Sequence, residues 1–167
     1  MIFSEKYLPY IRKNFSQRIF SLNLQQRSKR NCMKTNKKQE YRRQNAAWLA
    51  EKSLEPGVRP LGGGVLCKTL KEGSADRPSP TADSVVTVGY SGRTIDGHIF
   101  DKNEGEVPAA FRVRELIPGF ALALQNMHPG ERCEVYIPAE EAYGKFSQPG
   151  IPAFSTLIFD ITLHSVM

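Results

Sequence analysis

Cysteine is scarce in this chain, and it is badly placed for cross-linking or metal binding. Cys32, Cys67 and Cys133 are odd in number and far apart, so they make neither a disulfide framework nor a paired ligand set. A reducing compartment is the simplest reading. His98, His128 and His164 complete no recognisable ligand motif with them, so neither a metal nor a cofactor is expected. Long hydrophobic runs are missing as well. Arg12, Lys13, Arg18 and Arg27 break the apolar stretches near the amino terminus, which excludes a signal peptide or membrane span there and makes the expected location cytoplasmic.

Acidic residues are nearly absent from the first quarter of the chain. Residues 1–43 hold 12 Lys and Arg against 2 Asp and Glu, whereas residues 44–167 hold 11 against 15. The net charge of +6 therefore belongs to the amino-terminal segment. Such a segment could attract a phosphate backbone or an anionic bilayer, but no nucleic-acid-binding fold follows from charge alone. Residues 1–35 read as a basic flexible tail, or as an overextended start preceding the ordinary beginning Met33-Lys34-Thr35. A length of 167 residues leaves room for one domain of ordinary size plus an appendage.

Activated nucleophiles are the third absence. Ser91, Ser147 and Ser155 lie in no nucleophile-elbow motif, and no histidine is placed by sequence to activate one. Asp96 with Asp101, and Glu140 with Glu141, are carboxylate pairs on turn or surface positions, without the divergent environments that acid–base work needs. Leu61-Gly62-Gly63-Gly64-Val65 lacks the Lys-Ser/Thr sequel of a phosphate-binding loop. Covalent and phosphoryl chemistry both drop away.

What is present is alternation, punctuation and aromatics. Tyr41, Ala47, Ala50 and Leu54 recur at roughly helical spacing around Trp48 and stop at Pro56-Gly57, which predicts a helix over 36–54 within a helical extension and linker, 36–60. Such a helix can dock on its own domain or pair with a second copy. Strands are predicted over Val65–Leu70, Ser84–Tyr90, around Phe111–Val113, over Glu131–Ile137 and over Thr156–Val166, with a reversal at Asp96-Gly97. Phe120, Ala123, Leu124 and Met127 take the i, i+3, i+4, i+7 spacing of a short helix with one buried face, closed by His128-Pro129-Gly130. The simplest assembly is α+β: a curved antiparallel sheet wrapped around a short helix and preceded by an amino-terminal helix, with residues 61–167 as the main domain. Tyr90, Phe100, Phe120, Tyr143 and Phe159 fall near element ends, where aromatics line cavities as readily as they fill cores.

Six ordered blocks then become specific. They are Val86-Thr87-Val88-Gly89-Tyr90-Ser91-Gly92, Asp96-Gly97-His98-Ile99-Phe100-Asp101, Ile117-Pro118-Gly119-Phe120, Met127-His128-Pro129-Gly130, Ile137-Pro138 through Ala142-Tyr143-Gly144, and Ile151-Pro152 through Thr156-Leu157-Ile158-Phe159-Asp160. Over about residues 83–163 they resemble the FKBP-type peptidyl-prolyl isomerases, and with the preceding helix the subgroup whose amino-terminal extension often dimerises. The resemblance implies isomerisation of Xaa-Pro bonds in proline-containing polypeptides, without a covalent intermediate. It implies a hollow lined by Tyr90, Phe100, Leu116, Ile117, Phe120, Tyr143, Ile151 and Phe159, with Asp101 beside it and Phe146 near the rim. The Tyr143 hydroxyl and the Ile117 amide match positions that hold the substrate chain. Two departures are visible: Phe120 stands where the family commonly has tryptophan, and Ala109 where a second wall aromatic is common. They bear on efficiency and on macrolide binding in the same hollow, and Ala109, which opens one side of it, motivates the alternative of a noncatalytic proline-peptide binding or chaperone module.

Overall fold

The computed structural model describes Met33, residues 35–103 and residues 108–167; the basic tail read over 1–35 falls almost wholly outside them. Residues Tyr41–Met167 form one compact unit, and of Met1–Glu40 the described residues are helical. Helix α1 runs over 35–52, through Ala, Leu, Gln, Glu, Lys and Arg, which lose little entropy in a helix. Seven strands follow: β1 Val58–Gly62, β2 Val65–Lys71, β3 Val85–Thr94, β4 Ile99–Asn103, β5 Ala109–Arg112, β6 Arg132–Ile137 and β7 Leu157–Val166, with α2 at Pro118–Gln125 between β5 and β6. Pro118 opens α2, where its fixed φ suits the first turn and its missing N–H costs nothing.

The sheet runs β1-β2-β6-β7-β3-β4, with β5 also on β3, and every pairing is antiparallel. Its central strands are apolar along the concave face, whereas their convex face carries Arg93, Glu134, Arg132 and Asp160 in ion pairs and is apolar only near Tyr136 and Ile158. On the concave face Val65, Cys67, Val86, Val88, Cys133, Val135, Ile137, Leu157, Ile161 and Leu163 pack with Phe120, Ala123 and Leu124 of α2. On the convex face Leu66 stands opposite Tyr136, and Tyr136 opposite Ile158, in one cross-strand row. Trp48 and Leu49 of α1 pack against that row, with the Trp48 and Tyr136 rings edge-on at 5.7 Å. Of the residues whose spacing marked this helix, Ala47, Ala50 and Leu54 are exposed; the face that docks carries Asn45, Trp48 and Leu49 instead.

Four local readings are revised. The sheet begins at Val58, inside the segment read as linker; Pro60 hid a strand that is tolerable there because β1 is an edge. Strand β3 continues four residues beyond Tyr90, through Gly92, whose lack of a side chain weakens the sequence signal. Ile99–Asn103 after the reversal is a strand in its own right. Val113 leaves the β5 ladder and opens a 3₁₀ turn, so Phe111 and Val113 do not share a strand.

Two glycines carry the close approaches that shape the concave side. A Cβ at Gly119 would fall 2.3 Å from Ile137 Cγ2, so only glycine lets the start of α2 settle onto β6. A Cβ at Gly92 would lie 2.7 Å from both the Phe100 and Phe159 rings. The space left at Gly92 is what those two rings occupy.

Candidate functional site

Between the concave face and the amino-terminal end of α2 lies a cavity of about 420 Å³. Its lining comes from many elements: Tyr90 from β3, Phe100 and Asp101 from β4, Phe111 from β5, Leu116 and Ile117 before α2, Phe120 from α2, Tyr143 and Ile151 from the loop after β6, and Phe159 from β7. Phe159 is the hub. Its ring meets Phe120 edge-on at 5.0 Å and Phe100 edge-on at 5.6 Å, and Tyr90 stands 6.0 Å from Phe120. Edge-to-face contacts of this kind fix ring orientation as well as burying area.

The polar lining groups, Tyr90, Asp101, Glu115, Tyr143 and Gln148, come from several elements. The Tyr90 hydroxyl donates to Asp101 Oδ2 at 2.8 Å. Partial burial, then the hydrogen bond and the negative charge of Asp101, push the Tyr90 phenol up to about 12. That hydroxyl therefore stays protonated and is already committed. The Tyr143 hydroxyl and the Ile117 N–H, by contrast, take no hydrogen-bonding partner among the described residues. Two uncommitted donors in a wall built largely of aromatic rings can hold a carbonyl-bearing chain.

The residues named from sequence gather here with one exception. Tyr90, Phe100, Asp101, Leu116, Ile117, Phe120, Tyr143, Ile151 and Phe159 all line the cavity. Phe146 does not: it is 65% exposed, with the Lys145 ammonium 5.5 Å from its ring centroid. The opening expected at Ala109 is also revised. Ala109 pairs with Val88 in the ladder, and Phe111, two residues on, supplies the wall aromatic, 6.0 Å from Tyr90. Sequence reasoning missed Phe111, Glu115, Gln148 and Pro149. Phe111 was detectable, because it shares a strand face with Ala109; the others line the cavity through loop conformation, which no periodicity encodes. Among the described residues no cluster of three or more His, Cys, Asp or Glu could hold a metal ion.

A sequence model of the FKBP-type peptidyl-prolyl cis-trans isomerase family matches residues 77–164. The chain belongs to this family. It is 40% identical to the peptidyl-prolyl cis-trans isomerase Mip of Coxiella burnetii over 123 residues, which cover 72% of this chain and 52% of that protein. It is 40% identical to FkpA, an FKBP-type isomerase of Escherichia coli, over 114 residues, covering 67% and 41%. Among solved structures, a peptidyl-prolyl cis-trans isomerase from Pseudomonas syringae pv. tomato aligns with a TM-score of 0.72 at 35% identity, covering 77% of this chain and 94% of that one. Escherichia coli FkpA aligns with a TM-score of 0.72 at 28% identity, covering 98% and 73%. The chain spans about half the length of the curated relatives it matches. In this FKBP-type chain the matched residues 77–164 contain every cavity-lining residue.

Proposed function

We propose that this protein is a peptidyl-prolyl cis-trans isomerase that rotates Xaa-Pro bonds of polypeptides in the aromatic cavity. The observation that carries the proposal is a hollow ringed by six aromatic side chains, whose wall holds two hydrogen-bond donors without a partner among the described residues and no activated nucleophile. The barrier to rotation, about 18–20 kcal/mol, arises from the partial double-bond character of the C–N bond. Water favours the charge-separated resonance form by solvating the carbonyl oxygen, so a dry apolar wall weakens that form. Tyr143 O–H and Ile117 N–H hold the flanking chain by its carbonyl oxygens, while Phe100 and Phe159 confine the proline ring. Rotation is accelerated only to the degree that this arrangement holds the twisted bond better than the planar one. Tyr90 orients Asp101 through its hydrogen bond, and Asp101 carries no proton in the cycle.

Phe120 keeps an aromatic floor without an indole donor, so the isomerisation is expected to survive more securely than tight macrolide binding. Support for a noncatalytic binding module rested on the wall at Ala109, and Phe111 weakens it. Pairing of two copies through α1 belongs to the same reading; deletion of residues 36–54 should lower the solution mass if it occurs.

A protease-coupled assay on a proline-containing peptide tests the activity, with Phe100→Ala and Tyr143→Phe as controls. Acceleration by the wild type and its loss in Phe100→Ala are expected. A folded wild type that fails to exceed the uncatalysed rate refutes the enzymatic reading, and peptide binding in that case supports the binding module.

A further inference from the structure

The segment that closes the cavity on the Tyr143 side is held in place from α1. Residues 148–151 form a small hairpin, Gln148 N–H donating to Ile151 O and Ile151 N–H to Gln148 O, both at 2.9 Å; Gln148, Pro149 and Ile151 line the cavity. Immediately after it, residues 152–156 lead into β7. Here Asn45 of α1, only 1% exposed, accepts the Thr156 N–H on Oδ1 at 2.7 Å. Its Nδ2 donates to the Tyr41 carbonyl one turn back at 2.9 Å, so both ends of the amide are used and its flip is defined by its partners. The Thr156 hydroxyl donates to the Asn45 carbonyl at 3.4 Å.

A second chain of hydroxyls runs in parallel. Ser155 Oγ donates to the Pro152 carbonyl at 2.7 Å, which leaves the Tyr41 hydroxyl as donor to Ser155 Oγ at 2.9 Å. Just before the two anchors lies Phe154, at φ +65 the one non-glycine residue with positive φ among the described residues. Such a conformation persists only where its surroundings over-determine it. They do so here: the Arg42 guanidinium lies 4.9 Å from the centre of the Phe154 ring, and the Phe154 N–H donates to the carbonyl of Gly144, the neighbour of Tyr143. Two side chains of α1 thus grip Ser155 and Thr156, a third lies over Phe154, and the same segment is tied to the residues beside Tyr143 and Ile151.

We infer that the Tyr41–Asn45 turn of α1 belongs to the site, and that Asn45 is a positioning residue that sets the cavity wall formed by Tyr143, Pro149 and Ile151. This rests on the proposed isomerase activity of the cavity. A buried amide whose partner is a main-chain N–H cannot lose that partner to water, so removing Asn45 strands the Thr156 N–H and releases the segment. The wall meets substrate in the planar and twisted states alike, so its loosening should appear in KM more than in kcat.

The test uses the full chain and compares Asn45→Ala, Asn45→Asp and Tyr41→Phe with Trp48→Ala, which loosens α1 from the convex face away from the wall. Amide hydrogen exchange over residues 144–156 is read beside kinetics on Xaa-Pro peptides. Asn45→Ala should speed exchange at 148–156 by about tenfold or more and raise KM by roughly five- to tenfold with kcat within about twofold. Asn45→Asp, which keeps an acceptor for the Thr156 N–H, should recover part of the protection. Trp48→Ala should lower Tm and leave both readouts unchanged at a temperature where it is folded. Native exchange and KM in Asn45→Ala overturn the inference, as do losses that simply follow Tm across Asn45→Ala and Trp48→Ala. Should Asn45→Ala fail to fold, Tyr41→Phe, which removes one hydroxyl, carries the same comparison with smaller shifts. An inactive wild type refutes the isomerase reading, whereas native exchange at 148–156 in these variants refutes the brace independently of activity.

Discussion

The two faces of the sheet use similar materials for opposite ends. On the convex face Trp48 and Tyr136 meet edge-on above Leu66 and Ile158, and the row is covered by a helix that lies along it. On the concave face Phe120, Phe159, Phe100 and Tyr90 meet at similar angles and distances, but α2 is only eight residues long and covers only part of the sheet. Loops 113–117 and 143–151 bound the uncovered part without filling it. Aromatic content does not distinguish a core from a site here; the reach of the covering helix does.

The sharpest way to break this comparison is to truncate one ring on each side. Phe159→Ala removes the ring on which Phe120, Phe100 and Tyr90 all converge, in a side chain only 5% exposed. It should cost about 3–5 kcal/mol of stability and abolish isomerase activity. Trp48→Ala, on the half-buried partner of Tyr136, should cost about 2 kcal/mol and leave kcat/KM unchanged. Denaturant melts and peptide assays on both variants decide the matter. If Trp48→Ala lost activity at a temperature where it is folded, without loosening residues 148–156, the faces would be coupled in a way their separate cores do not explain.

A smaller effect sharpens the concave side alone. Tyr143→Phe deletes a hydroxyl without a partner among the described residues, so stability should move by less than about 0.5 kcal/mol. Activity should fall by about three- to tenfold, the loss expected for one hydrogen bond to substrate. A melt that shifts while activity stays constant would assign that hydroxyl to the fold instead.

How much of this was legible in the sequence follows the same division. The short helix and the positions of β2, β6 and β7 along the chain were readable, because Phe120-Ala123-Leu124-Met127 keeps helical spacing and the strands alternate, and nine of the ten residues that the family resemblance pointed to line the cavity. Strand β1 was hidden by Pro60, and β4 by its brevity after the Asp96-Gly97 turn. Phe111 and Ala109 lie on the same face two residues apart, so a wall position was assigned to the wrong member of the pair. Asn45 left no signal at all: its partner is a main-chain N–H 111 residues away, and a polar residue on a polar helix face reads as solvated.

The finest test concerns the hydrogen bond that joins β3 to β4 at the cavity's edge. A phenol pushed up to about 12 is favoured neutral in the folded state relative to its ordinary value near 10. The resulting stabilisation is fully present below about pH 10 and is lost as pH rises through about 12. Because Tyr90 is half-exposed, the stability change should be small, and the phenolate spectrum is the better readout. Difference titration of the wild type against Tyr90→Phe should show one phenol ionising near 12 that the variant lacks, with isomerase activity flat between about pH 6 and 9, where Tyr90 stays a donor. A Tyr90 that titrates near 10 would mean that the Asp101 contact is open in solution. The concave face would then differ from the convex one in lacking a fixed polar edge, and Asp101 would be free to meet substrate directly.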